Sequence, residues 1–113
     1  MYAVVRNQAV KLNAFLGPNP LSAPADIVFT IKTDEAGSDF SGLFQAVGTL
    51  TTLTASLQVS LDGGTTFADY IASANFISAA APVKNVTPLV GGAVYKVHAT
   101  ALTGSQDIWL VTN

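Results

Sequence analysis

The chain is short of charged residues, and it contains no cysteine. Only 11% of its 113 residues are Asp, Glu, Lys or Arg, against about 25% in an average soluble domain. The absence of cysteine excludes disulfide bonds and thiolate metal sites. Because 50% of the residues are hydrophobic, the composition also excludes a disordered chain. The sequence therefore predicts one folded domain over residues 1–113 whose surface carries few charges.

The few basic residues are scattered along the chain. Five Lys and Arg stand against seven Asp and Glu, which gives a net charge of −2, and no basic run offers a site for phosphate groups. We therefore expect no nucleic-acid partner. The longest uncharged stretch, residues 40–61, is interrupted by Thr, Ser, Gln and Gly, which is typical of strands, so we expect no membrane partner. Arg6 and Lys11 interrupt the N-terminal hydrophobic residues, so no secretory signal is recognised.

Residues suited to catalysis are sparse. The one histidine, His98, falls on the polar positions of a predicted strand, beside Lys96 and Thr100. No serine can be singled out as a nucleophile for it to activate. The scattered aspartates do not form a recognisable set of metal ligands with it. The Gly63-Gly64 and Gly91-Gly92 pairs lack the helix and the lysine of a phosphate-binding loop. We predict that the protein is not an enzyme and uses no cofactor or metal.

Alternation of apolar and polar residues predicts strands along most of the chain. Turn signals separate them: Gly48 is expected to end one strand, and residues 34–39 are expected to form a polar turn. Seven or eight short strands predict an all-β fold, a single antiparallel β-sandwich of jelly-roll type. The predicted strands lie at residues 3–12, 27–33, 40–47, 53–61, 65–70, 95–101 and 108–111, with short strands around Gly91-Gly92.

A hairpin across residues 53–70 is the clearest local feature. Asp62-Gly63-Gly64 supplies residues that tolerate the positive φ of a tight turn. Before this turn, every second residue is apolar and is expected to face the core. These five residues are Leu53, Ala55, Leu57, Val59 and Leu61.

The turn of this hairpin resembles a known local motif. Residues 60–67, SLDGGTTF, are similar to the Asp-box, S-x-D-x-G-x-T-W/F, which is best known from sialidase propellers and lies there away from the catalytic centre. In that motif, side-chain oxygens bind backbone N–H groups of the turn, as Asp, Ser and Thr commonly do. We therefore predict a structural clasp with no catalytic role. Its residues are Ser60, Asp62, Gly64, Thr66 and Phe67.

Two segments together resemble a class of structural proteins. Residues 60–67 and residues 95–105, YKVHATALTGS, are similar to segments of small β-sandwich virion proteins of tailed bacteriophages, of the capsid decoration (cement) and fibre types. The resemblance implies a non-enzymatic protein of the virion, assembled in the host cytoplasm, that stabilises the phage head. Its implied partners are the major capsid protein and copies of itself, with a trimer as the implied oligomer. The matching residues are core and turn positions, so no functional residue carries over.

Two segments outside the predicted hairpins are candidates for these contacts: residues 2–12 and the proline-rich loop at residues 15–24. Surfaces that partners cover are poor in charge at their centre, as this sequence is throughout. The candidate interface residues are Tyr2, Val4, Phe15, Leu16, Pro18 and Pro20.

An alternative function stays open at this point. Similar pairs of segments occur in extracellular carbohydrate-binding modules of jelly-roll type. Such a module needs a platform of exposed aromatic side chains to stack against sugar rings. The candidates for this platform are Tyr2, Tyr70, Tyr95 and Trp109.

Overall fold

Strands make up most of the residues that the computed structural model describes, which are 2–33 and 40–113. The side chains of Phe15, Leu16 and Leu50, and the predicted turn at residues 34–39, lie outside this description. The all-β prediction is confirmed, and none of the described helices is long and apolar enough to cross a membrane. In chain order the elements are β1 Tyr2–Val4, β2 Ala9–Lys11, α1 Leu12–Leu16, β3 Ala25–Ile31, β4 Gly42–Ser60, β5 Ala68–Ile71, a 3₁₀ helix at Ser73–Asn75, β6 Val83–Val86 and β7 Val94–Thr112.

Two strands of 19 residues each, β4 and β7, form the centre of the sheet. They pair antiparallel over their whole length, from Gly42 opposite Thr112 to Ser60 opposite Val94. In the hairpin half, which contains residues 54–60 of β4, the strand order is β1-β3-β7-β4-β5. In the terminal half, which contains residues 42–47 of β4, β2 pairs with β7 and β6 pairs with β4. The two long strands therefore belong to both halves.

The prediction that Gly48 ends a strand is wrong, because β4 continues through it. Register shifts between Leu50 and Thr52 and between Thr54 and Ala55 insert extra residues into the β4–β7 ladder. Such bulges bend a strand and increase its twist without ending its pairing. The observed strands are therefore fewer and longer in this region than the short strands that the pattern predicts.

The N-terminal segment forms two short strands, so the single strand predicted over residues 3–12 is wrong. Asn7 lies in the turn between β1 and β2 and has a φ of 55°, a conformation that Asn tolerates better than most residues. The side-chain oxygen of Gln8 accepts a hydrogen bond from the Val5 N–H at 3.1 Å across this turn. β1 pairs parallel with β3, whereas β2 pairs antiparallel with β7, because β3 and β7 are themselves antiparallel. The sheet is thus not entirely antiparallel, contrary to the prediction.

The inward sides of the two halves share one hydrophobic core. Phe29 of β3, in the hairpin half, lies 6.2 Å between ring centroids from Phe44 of β4, in the terminal half. Phe44 also meets Phe76 edge-on at 5.2 Å, and Phe29 stacks on Tyr95 at 5.8 Å. All four rings are buried. The pairing places the strands in one sheet, and the predicted two-sheet sandwich stays a prediction.

Candidate interaction surface

Asp62 organises the turn between β4 and β5. Its Oδ1 accepts hydrogen bonds from the Ser60 hydroxyl at 2.6 Å and from the Thr66 N–H at 2.9 Å, and its Oδ2 accepts one from the Thr66 hydroxyl at 2.5 Å. The Ser60 Oγ in turn accepts a hydrogen bond from the Gly64 N–H at 2.9 Å. The hydrogen bond from Ser60, followed by those from Thr66, holds the pKa of Asp62 far below its ordinary value. The carboxylate is thus engaged within the turn.

Phe67, the fifth residue of the predicted clasp, is half-buried beside this turn. The Lys96 Nζ lies 4.2 Å from its ring centroid, within the range of a cation–π interaction. Phe67 is part of an open depression of about 360 Å³ that is also lined by Val59, Leu61, Asp62, Thr66 and Ala68. Leu61 is 87% exposed, so the prediction that it faces the core is wrong. The reason is that β4 ends at Ser60 and Leu61 already belongs to the turn.

The outward side of the hairpin half is polar. His98 of β7 lies directly opposite Asp26 of β3, with its Nδ1 at 2.6 Å from the Asp26 Oδ1. The Lys96 Nζ lies 3.9 Å from the other oxygen of Asp26. Gln58 donates a hydrogen bond to Asp69 at 3.2 Å. We refer to these five residues as the polar outer face. Over the described part of the chain, no group of three metal-ligating residues is present.

The outward side of the terminal half carries a group of exposed apolar residues. Leu43 of β4 lies directly opposite Val111 of β7, and the two side chains are 40% and 45% exposed. Val47, further along β4, and Val83 of β6 are exposed to 44% and 46%. Trp109 of β7 is half-buried on the same side. The exposed residues Gln45 and Asn85, which are polar but uncharged, lie on the same side of the sheet. We refer to the five apolar residues as the apolar outer face. Sequence reasoning missed it, although the uninterrupted apolar run at residues 108–111 is typical of a strand that is covered on both sides.

Among the residues that the structure describes, the charge at this face is one ion pair at its edge. The Lys11 Nζ lies 3.6 Å from the Asp107 Oδ2 and 5.9 Å from the ring centroid of Trp109. The Asp107 Oδ1 accepts a hydrogen bond from the side chain of Asn13 at 2.9 Å. Asn13 is buried, and its own oxygen accepts a hydrogen bond from the Ile108 N–H at 3.0 Å. The pair is therefore anchored to the sheet, and it brings one positive and one negative charge to the face.

The predicted interface at the N-terminal strand needs one correction. Val4 is completely buried, because β1 pairs with β3 and directs this side chain into the core. It cannot contact a partner while the sheet is intact. Tyr2 is half-buried, and its hydroxyl accepts a hydrogen bond from the side-chain amide of Gln8.

The proline-rich loop that follows α1 keeps two of the predicted interface residues at the surface. Pro18 and Pro20 are exposed, and the carbonyl oxygen of Pro18 accepts a hydrogen bond from the buried Asn13 side chain at 3.0 Å. The loop is thus tied to the same asparagine that holds the edge of the apolar outer face. The side chains of Phe15 and Leu16 lie outside the described residues, and the role of this loop in contacts stays a prediction.

The aromatic residues proposed for a sugar platform are divided between the two halves of the sheet. Tyr95 is buried, its hydroxyl accepts a hydrogen bond from the Val90 N–H at 2.8 Å, and its burial raises the pKa of the phenol. Tyr70 packs edge-on against Tyr95 at 5.8 Å and donates a hydrogen bond to the Pro88 carbonyl at 2.6 Å. Trp109 lies in the terminal half. These aromatic residues therefore do not combine into one exposed platform.

Comparisons of the chain with protein-family models, curated proteins and solved structures find no significant match. The resemblance to virion proteins therefore rests on residues 60–67 and 95–105, and a function must be argued from the surfaces of this molecule.

Proposed function

We propose that this protein is a non-enzymatic structural protein of a bacteriophage virion. In this role it is a capsid decoration protein that binds the outside of the head together with copies of itself and stabilises it. The observation that carries the proposal is the apolar outer face, where Leu43, Val47, Val83 and Val111 are exposed beside Trp109 on adjacent strands. Contiguous apolar surface of this kind marks sites of contact with other proteins.

The fold does not require an apolar surface at this place. The outward positions of β4 and β7 are separated from the core by the sheet itself, and in the hairpin half the same two strands carry Gln58, Lys96 and His98 outward. Polar residues in the terminal half would leave the core unchanged. Exposed aliphatic side chains there reduce the solubility of a free monomer, which has few charges to offset them. A partner that covers this face accounts for them.

The charge distribution also favours contact with a larger assembly. The centre of a protein interface is depleted of charged residues, whereas its rim is polar. The apolar outer face follows this pattern over the described residues, because its charged neighbours there are Lys11 and Asp107 at one edge, already paired with each other. The polar outer face, with Asp26, Lys96 and His98, is suited to remain in water.

The test is the binding of the purified protein to phage capsids prepared without it. We expect the protein to sediment with the capsids at a fixed stoichiometry and to raise their melting temperature. Capsids that already carry their full complement serve as the control and should take up no more protein. A protein that stays in the supernatant and leaves the melting temperature of the capsids unchanged would contradict the proposal.

A further inference from the structure

We propose that the apolar outer face pairs with the same face of a second copy of this chain, so that two terminal halves stack sheet against sheet. The inference rests on the proposed function, because it names the partner of the surface that carries that function. It is argued from the charge of the face and from its size.

The charge of the face permits a contact between identical copies. In a symmetric pair each residue near the axis meets its own counterpart, so an unpaired charge there would face a like charge. The apolar outer face avoids this, because Lys11 and Asp107 lie at its edge and neutralise each other at 3.6 Å. The polar outer face would instead bring Asp26, Lys96 and their counterparts together. Of these two faces, the apolar one is suited to self-association.

The chemistry of the face also favours a second copy over a different protein. Contacts between different proteins gain specificity and orientation from complementary charges. The charged groups Lys11 and Asp107, which lie at this face in the described part of the chain, already pair with each other, and Asp107 is further held by the buried Asn13. Leu43 and Val111, directly opposite each other, instead present aliphatic side chains, and the exposed polar neighbours Gln45 and Asn85 carry no charge. Two such surfaces can interdigitate as the facing sides of stacked sheets do, about 10 Å apart.

The size of the face sets the strength of the pairing. Four strands spaced about 4.8 Å apart, over the five residues from 43 to 47, give a footprint on the order of 300 Å². A stable interface buries about 800 Å² per partner. The pair is therefore weak in dilute solution and forms where copies are held close together, as on the surface of a capsid.

Crosslinking through introduced cysteines tests this pairing directly, because the natural chain has no cysteine. Stacked sheets hold facing Cα atoms about 10 Å apart, too far for a disulfide but within reach of a short bismaleimide. We expect Leu43→Cys and Val111→Cys to form crosslinked dimers about tenfold faster than the control Leu61→Cys. Leu61 is the sharper control because it is 87% exposed, against 40% for Leu43. Equal rates, or a faster rate for Leu61→Cys, would overturn the inference.

Sedimentation of the unmodified protein provides the second measurement. Between about 10 μM and about 1 mM we expect its average mass to rise towards that of a dimer. Leu43→Lys should abolish this rise, whereas Leu61→Lys, which adds the same charge outside the face, should retain it. A monomer at every concentration, with no preferential crosslinking, would contradict the pairing.

The two proposals fail in different ways. If the protein is monomeric up to about 1 mM and Leu43→Lys loses capsid binding, the face contacts the capsid protein. The inference is then wrong, and the proposed function stands. If the protein pairs through this face but does not bind capsids, the inference stands and the proposed function is wrong.

Discussion

The same two strands, β4 and β7, have a polar outer face in one half of the sheet and an apolar outer face in the other. On the inward side, both halves carry apolar residues, and Phe29 from one half meets Phe44 from the other in one core. Outward, Asp26 and His98 mark the hairpin half, whereas Leu43 and Val111 mark the terminal half. Packing of the core constrains only the inward-facing residues. The difference between the outward-facing residues of the two halves therefore reflects what surrounds each half of the molecule.

The comparison separates residues that the fold needs from residues that a partner needs. On the polar outer face, the polar side chains contact one another: both His98 and Lys96 contact Asp26. On the apolar outer face, Leu43 and Val47 contribute less to the stability of the monomer than core residues do, because they are 40% and 44% exposed in it. Substitutions on the inward side should therefore change stability, and substitutions on the apolar outer face should change association.

Phe44→Ala should have the largest effect on stability. Phe44 is completely buried and contacts the rings of Phe29 and Phe76, so its removal should lower the free energy of unfolding by about 3–5 kcal/mol. Leu43→Ala, at the preceding residue of the same strand, removes a side chain that is 40% exposed and should lower it by about 1 kcal/mol. Urea unfolding of both variants measures the difference. Equal losses would mean that the outward side of the terminal half also supports the fold.

Gly104→Ala should have the second largest effect, because it alters the place where the two halves join. Gly104 has a φ of +95°, and a Cβ there would overlap the carbonyl oxygen of Thr49 on β4. We expect a loss of about 3 kcal/mol or more from strain and overlap together. Gly63→Ala is the matched control: its φ is +79°, but nothing lies within 4 Å of the added Cβ. It should lose about 1–2 kcal/mol from the backbone conformation alone. Similar losses in urea unfolding would show that the joint tolerates a side chain.

Local patterns were sufficient to predict the parts of the fold that depend on neighbouring residues. Alternation at residues 53–61 and 95–101 predicts strands, and Asp62 with the two following glycines predicts the turn. The continuity of β4 could not be predicted, because Gly48 read alone resembles the end of a strand. That continuity depends on its partner strand, since the backbone of Ser105 approaches Gly48 too closely for a side chain. The parallel pairing of β1 with β3 likewise depends on contacts distant in sequence.

The candidate interaction surface was only partly accessible from the sequence. The shortage of charge indicates a surface that partners cover, but it does not locate that surface. The sequence predicts Val4 to lie at this surface, because the N-terminal segment is not part of a predicted hairpin. Pairing of β1 with β3 instead buries this side chain. Leu43 and Val111 are almost 70 positions apart in the chain, and the pairing of β4 with β7 brings them together. The sequence alone does not show which residues of these strands lie opposite each other.

Asp62→Asn should have a smaller effect, confined to the end of the hairpin half and dependent on pH. The pKa of Asp62 is depressed by hydrogen bonds in the folded protein. Its charged form therefore adds stability above its ordinary pKa of 3.8, and this contribution disappears as the pH falls towards the folded value. We expect the variant to melt at a lower temperature than the natural protein above about pH 5, and the difference to shrink below pH 4. Asp69→Asn, which removes a nearby carboxylate, is the control. A difference that does not depend on pH would contradict this role of Asp62.

Asp26→Asn should have the smallest effect, and it examines whether the polar outer face is a solvated surface. Asp26 contacts His98 and Lys96, but its side chain is 45% exposed. Exposed ion pairs contribute about 1 kcal/mol or less, and salt screens them, so the loss in urea unfolding should be small and should shrink further when sodium chloride is added. Val47→Thr, an uncharged change on the apolar outer face, should show no such dependence on salt. A loss above about 2 kcal/mol that salt does not reduce would exceed the range of surface ion pairs. The polar outer face would then support folding itself, and its contrast with the apolar outer face would no longer indicate which half of the sheet a partner covers.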